Sequence, residues 1–238
     1  MTFPANATKV HMDAGTDDPA QARVELADLV DKFNTLLAHF PSFSQTLVGR
    51  STAALARTDL AVGWTIIANA NVSNAASLDI INLTADFRAY KLVFDDMLPI
   101  TDAVGLRLRT DTNNGASFDA GASDYSWVYT GMRASTTTAT PLSSADELAT
   151  QIVLTSDLCG NAVGEEISGE ITLYNPFNAS SRTKIISQLA HRNSTPDFDL
   201  EFVAGLRLLP GTENAFQLRF ESGNISTMNY TLYGLERT

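Results

Sequence analysis

Apolar residues recur along this chain with two different periods. Leu26, Val30, Phe33, Leu37 and Phe40 follow one another at steps of four, three, four and three. That spacing draws the narrow a/d seam of a coiled coil rather than the broader face of a helix lying on a globular core. Just upstream, Asp18 offers a carboxylate to cap free amides, Pro19 takes the first helical position, and Gln21 stands three residues past the cap. Together they predict a helix over residues 18–40 with a sharply written start. His39 falls in its last turn, where positive charge complements the helix dipole. An isolated helix of this length is marginal in water, and no second helix of similar length is evident in the sequence. Two partners are open for the seam: a second copy of the chain, or its own β-structure.

From Trp64 onward the period falls to two. Short, often alternating apolar runs separated by Gly, Asn, Asp, Ser and Pro predict strands. They begin at Trp64–Ile67, Leu78–Leu83, Tyr90–Phe94 and Leu106–Arg109, the last with leucines facing a core and arginines facing solvent. Asn113-Asn114-Gly115 reads as a tight hairpin turn returning the chain to Tyr125–Tyr129. Further strands are predicted at 151–154, 170–174, 184–189, 198–208, 216–220 and 229–233, giving roughly ten in all. With no crossover helices and no internal repeat, the pattern selects an antiparallel β-sandwich of jelly-roll type, mainly β in class. The predicted order is an extended arm over 1–17, a short coiled-coil-like helix over 18–40, a linker over 41–60 and the sandwich over 61–238.

Composition narrows the function classes. The 238 residues carry a formal charge of -11, and the 16 Lys and Arg are scattered singly, which argues against a nucleic-acid partner. No apolar run approaches the ~20 residues that cross a bilayer, so no membrane partner is expected. The opening residues lack the basic-then-apolar layout of a secretory signal, and assembly in a cytoplasm is expected. A lone cysteine, Cys159, excludes an intramolecular disulfide and reads as a small buried apolar residue. The Asn-x-Ser/Thr triplets reflect composition, and no glycosylation is read from them.

Candidate chemistry is sparse. The three histidines, His11, His39 and His191, have no His or Cys at metal-ligand spacing, so no metal, cofactor or catalytic residue is expected. No Gly-x-Ser-x-Gly elbow is present. The acidic stretch from Asp111 to Asp124 lacks the glycine position and closing glutamate of a calcium loop. Tyr125, Trp127 and Tyr129, spaced by two, share one strand face. With Asp124 beside them they form either a platform for stacking sugar rings or a core layer of the sandwich.

Several stretches carry a family resemblance. HMDAGTDDPAQARVELADLVDKFNTLLAH resembles the N-terminal segments of bacteriophage virion appendage proteins, where a similar Met-Asp, Thr-Asp-Asp-Pro and Ala-Arg-x-Glu-Leu order precedes a short helix. YKLVFDDMLPITDAVGLRLRTDTNNGASFDAGASDYSW, ISGEITLYNP and FESGNISTMNYTLYGL resemble the β-rich bodies of tail-fibre, spike and head-fibre proteins. The resemblance implies an arm docked on other virion proteins, a helix that trimerises, and a sandwich displayed outward, with a host surface glycan as a conceivable ligand. With the order of arm, helix and sandwich and the absence of catalytic motifs, the expectation is a non-enzymatic tail fibre or spike located on the virion. The alternatives are a capsid decoration or head fibre and, less well matched, a polysaccharide depolymerase. Avidity gives such an assembly its purpose, since several weak sites on one particle hold a repetitive surface firmly.

Overall fold

The computed structural model describes residues 27–32, 35, 63–156 and 158–237. The chain divides into two units, Met1–Ala61 and Val62–Thr238. In the first, residues 27–32 and 35 are helical. Lys32 pairs with Asp28 one turn earlier at 2.6 Å, the favourable order for a helix, and both side chains stay in water. Val30, the one seam position described, is 49% exposed, and its neighbour Leu29 is 62% exposed. Leu26, Phe33, Leu37 and Phe40, like the arm and the linker, lie outside the described residues.

The second unit is an antiparallel β-sandwich of two unequal sheets. The larger has eight strands in the order β1-β12-β3-β8-β9-β10-β5-β6, the smaller four in the order β2-β11-β4-β7. In chain order these are β1 (Trp64–Ala75), β2 (Leu78–Ile80), β3 (Phe87–Pro99), β4 (Leu106–Asp111), β5 (Tyr125–Ala134) and β6 (Ala139–Ala149). There follow β7 (Ile152–Val153), β8 (Ile167–Tyr174), β9 (Lys184–Arg192), β10 (Phe198–Arg207), β11 (Ala215–Phe220) and β12 (Ile225–Glu236).

One core fills the space between the sheets. Leu106 and Leu108 of β4 and Phe216, Leu218 and Phe220 of β11 meet Leu92, Ile171, Leu173, Ile185 and Leu189 of the large sheet. Each such side chain contributes roughly 1.5–3 kcal/mol on leaving water. Four strands cannot cover eight. The edge strands β1 and β6 stay largely exposed, and the central strands carry the buried positions.

Three sequence expectations change here. Arg107 does not face solvent: it is buried, with its guanidinium folded over the Leu106 and Thr155 carbonyls and held by Glu221 at 3.0 Å. The turn at Asn113–Gly115 does contain successive positive-φ residues, Asn114 at 56° and Gly115 at 83°. It joins no hairpin, because β4 pairs with β11 and β7 while β5 pairs with β10 and β6, so the chain passes from one sheet to the other. Asp111 ties the turn by accepting the Asn113 and Gly115 amide N–H groups at 3.0 and 2.6 Å, with a longer bond from Ser117. Finally, β6 has no apolar alternation and was not predicted. Its ladder to β5 holds it in place rather than any buried face.

Strand β7 packs against β5 and β10, close to the backbone of β10 at Gly205. A Cβ on Gly205 would stand 2.6 Å from Ile152 Cδ1, so only a residue without a side chain lets Ile152 seat there. Gly205→Val is expected to cost about 1–3 kcal/mol through overpacking, several degrees in Tm for a domain of this size. Thermal unfolding of Gly205→Val, Ile152→Ala and the double variant checks the cause: the double should lose less than the sum of the singles.

Candidate functional site

Strand pairing decides what β5 can offer. Register places Tyr125, Trp127, Tyr129, Gly131 and Arg133 on its inner face, opposite Arg207, Gly205, Val203, Glu201 and Asp199 of β10. Tyr125 is fully buried. Its hydroxyl accepts the Thr110 N–H at 2.8 Å and donates to the Asp119 carbonyl at 3.1 Å, and burial pushes its pKa up to about 12. Trp127 and Tyr129 are half-buried against the core and stacked on each other, with centroids 6.3 Å apart and planes at 22°. Asp124 is committed elsewhere: its carboxylate meets Arg207 at 2.9 Å and accepts the Gly121 N–H. The four residues therefore do not form one exposed surface for a sugar; Tyr125 belongs to the core layer.

Arg207 organises the residues around Tyr125. Its guanidinium touches Asp124 and Asp119 at 2.9 and 2.8 Å, lies 3.5 Å from Glu213, and sits 5.3 Å from the centre of the Tyr125 ring. Burial holds the carboxyl groups of Asp119 and Glu213 above their ordinary pKa, with Arg207 pulling both back down. This knot fastens the 111–125 crossover to the end of β10.

A second polar group lies on the inner face one end of the sheet away, and sequence spacing did not reveal it. Arg133, Asp199 and His191 are direct cross-strand neighbours on β5, β10 and β9. Glu201 follows Asp199 by two, hence on the same face. His191, Asp199 and Glu201 are buried with one potential ligand atom from each within 4.8 Å of the others. Arg133 grips Asp199 with two bonds of 2.7 Å, a bidentate pairing that holds the arginine above its ordinary pKa. Asn193 adds a third bond to Asp199 at 3.1 Å. The Ser156 amide N–H donates to Glu201 Oε1 at 2.9 Å. Nearby Cys159 is buried and bonded to Thr155 Oγ1 at 3.0 Å; burial pushes its thiol pKa up to about 12, so it is an inert packing group.

The signal for this group was in the strand itself. In Phe198-Asp199-Leu200-Glu201-Phe202 the acids point inward and the apolar residues outward, the reverse of an ordinary sandwich strand. Searching for His and Cys at fixed spacing misses ligand sets assembled across two strands with carboxylates.

The inversion leaves Phe198 and Phe202 on the outer face of the large sheet. With Val128 and Met132 of β5 and Ile186 of β9 they are 42–52% exposed. A shallow hollow of about 390 Å³ between Val128, Ala145, Ile186, Ala204 and Leu206 lies on this half. The other half, on β1, β12 and β3, is mixed: Asn69, Asn71, Asp95 and Asn229 line its hollow beside Val93, Ile66 is exposed, and Lys91 stands 5.2 Å from the Trp64 ring and 3.0 Å from Glu170. No helix among the described residues is long and apolar enough to cross a membrane.

Removing the Arg207 charge strands buried carboxylates. Arg207→Met should cost about 3–5 kcal/mol at pH 7. Because the folded pKa values of Asp119 and Glu213 lie above their unfolded ones, the penalty on their charged forms is full above the folded values. It is relieved as pH falls through them toward about 4. The Tm difference between Arg207→Met and the natural chain should therefore shrink from pH 7 to pH 4, as measured by thermal melts across that range.

In comparison with known proteins, the chain matches no family model and no curated protein.

Proposed function

We propose that this chain is a non-enzymatic structural component of a bacteriophage virion: a short, oligomeric tail fibre or spike that presents its β-sandwich for attachment to the host surface. The observation that carries this reading is the apolar half of the large sheet's outer face. Contiguous exposed apolar surface on a folded domain marks an interaction site, and the occupant proposed is another copy of the same chain. The exposed Val30 and Leu29 on the helical segment support self-association from a second place in the sequence. The resemblance of residues 11–39 to the arms of virion appendages supports docking of the N-terminal part on other virion proteins and favours a homotrimer. The hollow on β1, β12 and β3, with Asn69, Asn71, Asp95 and Asn229, offers hydrogen-bonding groups suited to a surface glycan.

Sedimentation at micromolar concentration should give a multiple of 25.6 kDa, three copies in this reading. Phe202→Asp and Met132→Lys, both placing charge on the outer face, should each weaken association by about 2 kcal/mol, roughly 30-fold in Kd. A natural chain that sediments strictly as a monomer overturns the assembly. Labelled antibody on intact particles tests the location: signal at the tail supports a fibre or spike, and signal over the capsid alone replaces it with a head decoration.

A further inference from the structure

The buried group at the start of β10 has unsatisfied chemistry. His191 Nε2 and Glu201 Oε2 face each other at 3.5 Å, both side chains fully buried, yet neither atom has a hydrogen-bond partner among the described residues. The other imidazole nitrogen, Nδ1, lies 3.2 Å from the Arg192 carbonyl, which can only accept, so Nδ1 carries the proton in that contact. Whatever Nε2 itself carries, a positive centre between it and the Glu201 carboxylate oxygen is needed to hold the two electron-rich atoms this close. The charge count says the same. Asp199 and Glu201 bring two negative charges to the site, and Arg133 returns one.

We propose that His191, Glu201 and Asp199 form a structural binding site for a divalent transition cation of the zinc type, fastening β9 to β10. Imidazole nitrogen with carboxylate oxygens is a donor set that such an ion favours over calcium or magnesium. In a tetrahedral zinc site with bonds of about 2.0–2.2 Å, neighbouring ligand atoms stand roughly 3.3–3.5 Å apart, the spacing of Nε2 and Oε2 here. The supporting contacts have the form that orients metal ligands: an imidazole N–H on a backbone carbonyl, and carboxylates held by Ser156, Arg133 and Asn193. Asp199, already gripped by Arg133, is the third ligand within 4.8 Å. The site is independent of the outer face and of the assembly that face supports.

Zinc chloride titrated calorimetrically into the full-length chain, stripped beforehand with a chelator, should bind one ion per chain. It should raise Tm by roughly 5–10 °C at a hundredfold excess over Kd, reversibly on adding EDTA. Cobalt(II) in place of zinc should give visible d–d bands that excess zinc abolishes. His191→Gln and Glu201→Gln should each lower zinc affinity by more than about a hundredfold, beyond the loss from removing a mere supporting contact. His11→Gln and His39→Gln should bind as the natural chain does. Absence of stoichiometric binding and of any zinc-dependent Tm change in the natural chain overturns the proposal. Uptake that survives His191→Gln but disappears with His11→Gln or His39→Gln also overturns it. The measurements on the natural chain decide the matter even where a variant fails to fold.

Discussion

The second unit depends on an unequal match: a four-stranded sheet must dehydrate the inner face of one with eight strands. It succeeds over the middle, where β11 and β4 lay Phe216, Phe220, Leu106 and Leu108 on the central strands. Where the small sheet runs out, the inner face is covered differently. At the start of β10 the cover comes from the segment bearing Thr155, Ser156 and Cys159, which presents the Ser156 backbone N–H and the Thr155 hydroxyl beside the packed Cys159. Polar side chains can be buried under such a cover, and that is where Arg133, Asp199, Glu201 and His191 stand. The location of the charged cluster thus follows from the geometry of coverage.

This arrangement has an energetic cost that a hydrophobic row would avoid. Buried ion pairs seldom add net stability over well-packed apolar residues of equal volume, because desolvation offsets their attraction. Placing Phe198, Leu200 and Phe202 outward exchanges that stability for a greasy outer surface. The cluster of fully buried side chains runs through both sheets from Tyr90 to Met228 without them. The inversion of β10 therefore links two features that seem unrelated, an apolar outside and a charged inside, through the period-two geometry of a single strand.

How much of this was legible in the residues follows the same logic. Short apolar runs between turn residues located β3, β9 and β10, and strict alternation located β4, because period two is a property of the backbone. It did not say which set of β10 residues points inward, since that depends on what lies across the gap. The positive-φ turn at Asn114-Gly115 was readable from local sterics, yet its pairing was not, because the partner of β4 is β11, more than 100 residues later in the chain. Strand β6 was invisible because its ladder with β5, a non-local interaction, supplies what its side chains do not. The aromatic set on β5 was found by spacing, and the burial of Tyr125 needed the crossover knot around Arg207 to be seen.

The two outermost strands of the large sheet carry a further implication. Each could in principle template another strand through its free backbone groups, and both are blunted. On β6, Pro141 removes a donor and Asp146 and Glu147 set charge along the rim; on β1 the register slips between Ile66 and Ala68, and asparagines follow. Open-ended fibril growth by lateral hydrogen bonding is thereby discouraged along both margins of the large sheet.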